Sequence, residues 1–343
     1  MSWYLYIVGI LGLALLMVVH EGGHLIVSRV FGMRVVRFSI GFGPTLWRVQ
    51  AKQSGTIYQI ALIPFLAYVQ IAGMNPFEEV EPDDQGSYAN ATLMARIATI
   101  FAGPLSNYLF ASVLFFVAFA VGGESVPTTT IKVMKDGAAQ AAKMKDGDKI
   151  LKIGSTKIED WEQMRKLILD RPGEALDFEV ERDGRKVNLQ VTPRLKKAGK
   201  GGEIRVRPVF THTIVPIREA AVRSVVLPAK VVRDLVVGLV RIITGKEKPQ
   251  LTGPVGIVKV TSRAAAESWT AYLYFLGVLS AYLGGFNLVP FPALDGGRLM
   301  FLSYEAVTRR RPNARIEAHI HAAGLALLLL LIFVVTIFDV QGK

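Results

Sequence analysis

A short polar motif inside a long apolar run constrains this chain more than any other feature. Residues 17–27 read MVVHEGGHLIV, and the apolar run around them extends from residue 2 to about residue 31. An ionisable side chain within a membrane span is costly, so such residues usually serve a function. His20 and His24 are four residues apart and share one helix face, with Glu21 beside the first. The H-E-x-x-H spacing is typical of two zinc ligands with a general base, and the alternative is two histidines satisfied by helix packing.

Composition places the motif in a membrane protein. The 343 residues are 51% hydrophobic with a mean hydropathy of +0.36, and there is no cysteine, which excludes disulfides and thiolate metal sites. Four apolar runs are long enough to cross a bilayer, at residues 2–31, 97–123, 270–294 and 320–338. The first run lacks a basic start and a small-residue cleavage site, so we do not expect a removable signal peptide.

The net charge of +12 has two interpretations, nucleic-acid binding or membrane orientation. The basic residues lie largely beside the apolar runs, so we predict contact with membrane lipid and no nucleic-acid partner. Arginine and lysine cluster in the loops after the first run and between the third and fourth. These loops are therefore predicted to be cytoplasmic, with residues 124–269 on the far side and the histidine motif near the cytoplasmic face.

Two further regions have a mixed character. Residues 34–73 carry β-branched and aromatic residues with glycine and proline between them, which predicts short strands, either dipping into the membrane or forming a soluble hairpin. Residues 124–195 alternate short strands and helices around a hairpin at Asp183-Gly184, and this order resembles a bacterial PDZ domain. Residues 196–269 are predicted to contain a linker at 196–203 and an amphipathic helix at 217–243.

A catalytic zinc needs a third protein ligand. His212, His319 and His321 are available, but Asp295 in NLVPFPALDGGRL is the better candidate, because it ends an uncharged run and is followed by two glycines. Its alternative role is a solvated helix cap. Asn107 lies in the second apolar run, where a contact between helices and a role in the site are equally open.

These motifs together resemble the site-2 protease family of intramembrane zinc metalloproteases. HEGGH matches its HExxH, residues 287–297 (NLVPFPALDGG) match NxxPxPxLDGG, and residues 101–107 (FAGPLSN) match AGPxxN. Residues 34–73 and 251–257 (LTGPVGI) resemble further family segments. The chain departs from the family at Arg298, where histidine is frequent, and at residues 66–69 (LAYV), where Gly-Gly-Tyr-Val is usual.

The resemblance implies a polytopic α-helical membrane protein of about four transmembrane helices, with a membrane-associated β region and an inserted α+β PDZ-like domain. The predicted domains are residues 1–123 and 270–343 for the membrane core, 124–195 for the PDZ-like domain and 196–269 for the linker and helix. The resemblance further implies a bacterial inner-membrane enzyme that cuts transmembrane proteins such as anti-sigma factors, or remnant signal peptides. Its PDZ-like domain is expected to bind a peptide or chain end.

The resemblance also implies roles for single residues. His20, His24 and Asp295 are expected to bind Zn²⁺, Glu21 to act as general base, and Asn287, with Asn107, to contact substrate. The competing functions are a catalytically inactive membrane adaptor that carries a PDZ-like domain, and a zinc transporter. The first predicts loss of Glu21 or a ligand, and the second predicts polar residues along several spans; the sequence shows neither.

Overall fold

The computed structural model describes residues 2–75, 78–195, 201–247 and 252–341. The helices are α1 (Trp3–Val30), α2 (Leu93–Gly122), α3 (Ala138–Ala141), α4 (Trp161–Leu169), α5 (Ile217–Ile243), α6 (Pro254–Glu267), α7 (Trp269–Asn287), α8 (Asp295–Thr308) and α9 (Ala314–Gln341). The strands are β1 (Val35–Gln50), β2 (Ile57–Ile71), β3 (Glu124–Val133), β4 (Lys149–Ile153), β5 (Thr156–Lys157), β6 (Leu176–Arg182), β7 (Arg185–Val191), β8 (Arg194–Leu195), β9 (Gly202–Glu203) and β10 (Val206–Thr213). Two compact units result: a helical unit, Met1–Val121 with Pro216–Lys343, and a sheet unit, Gly122–Val215.

Three helices among the described residues are long and apolar enough to cross a membrane. They are α1, α2 and the part of α9 from Ala314 to Asp339, with mean hydropathies of 2.0, 1.9 and 2.7. The third predicted span, residues 270–294, is represented by α7, which has 19 residues and ends at Asn287. Pro290 and Pro292 follow closely and disfavour helical backbone at the residues before them, so the chain leaves the helix earlier than the apolar run ends.

Small residues bring the helices around α1 close together. A Cβ atom at Gly9 would overlap Ser262 of α6, and one at Gly12 would overlap the Tyr272 hydroxyl of α7. That hydroxyl donates a hydrogen bond of 2.8 Å to the carbonyl of Val8. Membrane helices associate through such close packing, because lipid provides no hydrophobic drive between them.

The β region is an irregular antiparallel pair that packs against α1. Residues 37–40 of β1 have partners at both ends of β2, at 57–60 and at 67–70, so β1 lies between two parts of one long strand. Gly41 and Gly43 have φ angles of 92° and 93°, where other residues would be strained, and they lie among the register shifts. The glycines therefore bend one long strand, where the sequence predicts separate short strands.

An ion pair joins α2 to α8. The Arg96 guanidinium donates hydrogen bonds of 3.0 Å and 2.5 Å to the two carboxylate oxygens of Glu305, and both side chains are nearly buried, at 8% and 12% exposure. Such bidentate pairs are geometrically specific. The pair fixes two helices that the chain separates by 209 residues.

The sheet unit contains a sheet in the order β10-β3-β4-β6-β7, with β5 beside β4. The predicted hairpin is present between β6 and β7, where Asp183 and Gly184 have φ angles of 50° and 74°. Burial of the Asp148 carboxyl disfavours its charge, but hydrogen bonds from the Arg182 side chain and the Lys145 N–H prevail, and the pKa of Asp148 lies below its usual range.

The assignment of residues 196–269 to a linker and an amphipathic helix is wrong for residues 202–213. These residues form β9 and β10, and β10 pairs with β3 from Glu124 to Val133. The partner strand is some 80 residues earlier in the chain, at separations such as the 81 residues between Thr128 and Val209, so a local pattern could not reveal the pairing. Residues 196–200 of the predicted linker lie outside the described residues.

The ion pair between α2 and α8 predicts a pattern of stability. Glu305→Leu leaves the buried Arg96 guanidinium without its partner, and we expect it to cost about 3–5 kcal/mol. Arg96→Leu should cost less, because Arg311 remains 3.5 Å from the Glu305 carboxylate. The double variant should recover most of that loss, because it removes both charges. Thermal unfolding in detergent measures the three variants, and single variants as stable as the wild type would contradict the structural role of this pair.

Candidate metal centre

Three side chains meet in the helical unit with their ligand atoms close together. The Nε2 atom of His20 lies 3.0 Å from Oδ2 of Asp295 and 3.3 Å from Nε2 of His24, and the latter lies 3.4 Å from the same oxygen. Zinc bonds of about 2.0–2.2 Å in a tetrahedron place neighbouring ligand atoms about 3.3–3.6 Å apart. The three separations come close to this range, so the donor set fits a zinc ion with a fourth position open.

The site is shielded from solvent. The side chains of His20, His24 and Asp295 are 5%, 7% and 16% exposed. Two imidazole nitrogens and a carboxylate oxygen are common zinc ligands, and the residues form one group that could hold a metal ion. Removal from water strengthens the electrostatic attraction between the carboxylate and a cation.

Helix α1 supplies both histidines, and groups on α2 contact their Nδ1 atoms. The four-residue spacing brings the imidazoles together edge to face, with ring centres 4.9 Å apart and ring planes at 83°. Nδ1 of His24 donates to the carbonyl of Thr99 at 2.7 Å, which leaves Nε2 free to bind a cation. Nδ1 of His20 lies 3.2 Å from the Asn107 amide. Both contacts come from one face of α2.

Glycine makes this approach of α2 possible. A Cβ atom at Gly103 would overlap Nε2 of His24 and would also crowd Nε2 of His20. Any other residue would occupy the space next to the ligand atoms. The glycine of the FAGPLSN motif therefore has a steric role in the site.

Asp295 reaches the histidines because the chain turns tightly before it. It is the first residue of α8, whose N-cap is Leu294, so Asp295 does not take the alternative role of a capping residue. A Cβ atom at Gly296 would overlap the carbonyl of Val289, so the DGG sequence lets the preceding loop fold beneath the helix. Nδ1 of His321 accepts a hydrogen bond of 2.9 Å from the N–H of Ala293, which secures the loop.

Glu21 lies beside the histidines and faces the β region. Its Oε2 accepts a hydrogen bond of 3.0 Å from the N–H of Val69 in β2. Val69 is opposite Phe38 in the register, and this N–H points away from β1. The carboxylate next to the metal ligands therefore contacts the outer edge of the sheet.

The remaining candidates do not belong to the group of metal-ligating residues found in the described part of the chain. Asn287 is at the end of α7, and its amide donates to the Leu283 carbonyl at 2.9 Å on the same helix. His319 contacts the Arg315 carbonyl of its own helix. His212 is in β10 of the sheet unit. Asn287 as a substrate contact stays a prediction.

Sequence reasoning missed the backbone groups of the site. The Thr99 carbonyl and the Val69 N–H each hold a key side chain, but a backbone group has no residue signature. The bond of His321 to Ala293 was also missed, because it depends on contact between distant segments. The available signal for His321 was a polar residue near the start of an apolar helix, which could contact the loop before Asp295.

Comparison with known proteins agrees with this geometry. The model of peptidase family M50, the site-2 protease family, matches residues 8–331. The chain belongs to peptidase family M50. The zinc metalloprotease RasP of Geobacillus kaustophilus is 32% identical over 400 residues, which covers 94% of each chain. A protein of Clostridium acetobutylicum, provisionally named zinc metalloprotease, is 30% identical over 341 residues and covers 99% of this chain and 98% of its own. Zinc is the cofactor that this family implies, and the apolar helices make the chain a membrane metalloprotease.

Arg298, which stands where histidine is frequent in the family, lies outside the group of metal ligands. Arg298 is one turn after Asp295 on α8 and lines a cavity of about 320 Å³. Arg96, Glu305 and His321 line the same cavity. The substitution therefore changes the wall of a neighbouring cavity and leaves the donor set of two histidines and one aspartate intact.

The two glycines of HEGGH provide a matched test of the packing between α1 and α2. A Cβ atom at Gly23 would overlap the Ala102 carbonyl of α2, whereas one at Gly22 has no atom within 4 Å. We expect Gly23→Ala to cost about 1–3 kcal/mol and to weaken zinc retention. Gly22→Ala should be neutral or stabilising by up to about 1 kcal/mol, because alanine favours the helix.

Thermal unfolding and zinc content of the two variants check this prediction. Equal behaviour of Gly22→Ala and Gly23→Ala would contradict the close contact of α1 with α2.

Proposed function

We propose that this chain hydrolyses a peptide bond within or near a transmembrane segment of a membrane-protein substrate. His20, His24 and Asp295 hold the zinc ion, and Glu21 is the general base. The observation that supports this most strongly is the convergence of a carboxylate and two imidazoles, with ligand atoms 3.0–3.4 Å apart, next to Glu21 on the same helix. The complete set of residues argues against an inactive adaptor.

The residues of the chain divide the chemistry between them. Zinc held at this site supplies a Lewis acid that polarises the scissile carbonyl and makes a water molecule more acidic. Glu21 accepts a proton from the attacking water while the oxygen of that water bonds to the carbonyl carbon of the substrate. When the carbon–nitrogen bond breaks, Glu21 gives this proton to the leaving amine.

The outer edge of β2 offers a place for the substrate backbone. By the alternation of an antiparallel pair, the N–H and C=O groups of Ala67 and Val69 point away from β1. An unwound transmembrane segment must satisfy its backbone groups in the membrane, and pairing as an added strand does so. The Val69 N–H already contacts Glu21, so a strand added at this edge would lie beside the general base.

The apolar helices and the family support a location in the bacterial inner membrane. Basic residues follow α1 and α8, and this pattern favours a cytoplasmic position for the site and the opposite side of the membrane for residues 124–269. We infer that the sheet unit is PDZ-like and selects substrates by binding a peptide or chain end. Anti-sigma factors and remnant signal peptides are the substrate types that the resemblance favours.

A cleavage assay separates the roles of base and ligand. With purified protein in detergent and a model transmembrane substrate, Glu21→Gln should retain zinc but lose at least about 10²-fold in rate, because the amide cannot accept the proton. Asp295→Asn should lose most of its zinc as well as its activity. Zinc content by elemental analysis and a chelator treatment of the wild type complete the measurement.

A matched control is Glu267→Gln, the same substitution at an exposed residue at the end of α6. It should cleave like the wild type. A Glu21→Gln variant with full activity would contradict the general-base role.

Excision of the sheet unit tests its role in selection. Its ends lie side by side, because Thr213 is paired with Glu124, so a short glycine linker can join Val121 to Pro216. We expect the shortened protein to retain zinc and to cut a wider panel of transmembrane substrates. The same protein with Glu21→Gln is the control for activity from another source.

A folded, zinc-loaded excision variant that cuts no substrate, including those of the wild type, would contradict the selective role. It would indicate that the sheet unit is required for the chemistry itself.

A further inference from the structure

Asn107 contributes a buried amide to the face of α2 that contacts the histidines. Its side chain is fully buried, and its Nδ2 lies 3.2 Å from Nδ1 of His20. Its Oδ1 is buried without a hydrogen-bond partner among the described residues. A buried polar atom without a partner is uncommon in folded proteins, so its orientation and role need a physical reason.

The contact is incompatible with a metal bound at Nε2 of His20. An amide N–H facing Nδ1 requires a lone pair on that nitrogen, which leaves the proton on Nε2. Nε2 is the atom that lies close to Asp295 and to Nε2 of His24. A metal-binding Nε2 has no proton, so Nδ1 must carry the proton and needs an acceptor.

His24 shows the required arrangement at the same site. Its Nδ1 lies 2.7 Å from the carbonyl oxygen of Thr99, an atom that can only accept. The corresponding position for His20 is occupied by Asn107, eight residues or about two turns further along α2. A half-turn of the Asn107 amide about its last bond exchanges nitrogen and oxygen at nearly the same positions.

We propose that Asn107 is a positioning residue for the metal, with its Oδ1 accepting the Nδ1 proton of His20. This inference rests on the proposed function, and it replaces the expectation from the sequence that Asn107 contacts substrate. The half-turn moves the unpartnered position from the oxygen to the N–H, so the number of hydrogen bonds does not decide between the two orientations. The requirement of the metal for an unprotonated Nε2 decides between them.

Packing between helices is the competing role for Asn107, and it can be separated from positioning. The backbone carbonyl of Asn107 accepts a hydrogen bond of 2.8 Å from Ser280 of α7, and Ser280 is itself fully buried. Ser280→Ala therefore removes a buried contact between helices at the same residue and leaves the imidazole contact unchanged. It is the matched control for loss of packing.

The test compares zinc affinities of the full-length protein by competition with a chromogenic chelator. Asn107→Leu has a similar size without an acceptor, and we expect affinity to fall about 10- to 100-fold. Asn107→Asp supplies an acceptor only, and it should bind zinc within about threefold of the wild type, as carboxylate–histidine–zinc arrangements do. Ser280→Ala should also bind zinc like the wild type.

A purely structural role predicts the reverse order. A buried carboxylate would then be the more disruptive substitution, and Asn107→Leu would bind zinc normally. That result overturns the inference while leaving the proposed function intact, provided the wild type binds zinc. A wild type that binds no zinc overturns both. Thermal unfolding of each metal-free variant, with the shift on adding zinc, gives a second measure of affinity that does not depend on activity.

Discussion

Two imidazoles and one carboxylate, held at contact distance in a nearly solvent-free pocket, are the constraint on which the rest of the helical unit depends. The carboxylate belongs to a residue 275 positions from His20 in the chain, yet the two atoms lie 3.0 Å apart. Two glycines make this possible, because the imidazoles lie directly against the backbone of Gly103 and the preceding loop lies directly against the backbone of Gly296. The Arg96–Glu305 pair then joins the helix behind the histidines to the helix that begins with Asp295.

Local features of the site and fold were predictable from the sequence. The spacing of His20 and His24 gives a common helix face, and Asp183-Gly184 produces the hairpin, because both depend on neighbouring residues. Asp295 could be chosen because a single acidic residue at the end of a long uncharged, apolar run is costly to place there unless it binds a partner. The helix at 217–243 has the predicted bounds, since its apolar periodicity is long and regular.

Contacts between distant segments were not predictable in the same way. β3 and β10 pair although most of the sheet unit lies between them in the chain. The predicted domain boundary at residue 195 therefore excluded β10. The contacts of Thr99 and Val69 use backbone atoms that every residue has. For Asn107, the sequence indicated a polar residue in a membrane helix, but only the structure gives its partner, His20.

The contact between Glu21 and the edge of β2 connects the chemistry to the membrane setting. A soluble metalloprotease meets extended peptides, whereas a transmembrane helix hides its backbone groups within itself. A sheet edge next to the base gives an unwound segment both a partner for its backbone and proximity to the scissile bond. The Glu21 carboxylate thus contacts the sheet edge and belongs to the helix that carries His20 and His24.

The most direct measurement is X-ray absorption at the zinc edge of the purified protein, for the wild type and for Asp295→Asn. The proposed site predicts four nitrogen or oxygen neighbours at about 2.0–2.2 Å, with outer-shell scattering from two imidazoles. Asp295→Asn should show a weaker or depleted zinc signal. A spectrum with six neighbours, with other than two imidazoles, or unchanged by Asp295→Asn would contradict zinc binding by His20, His24 and Asp295.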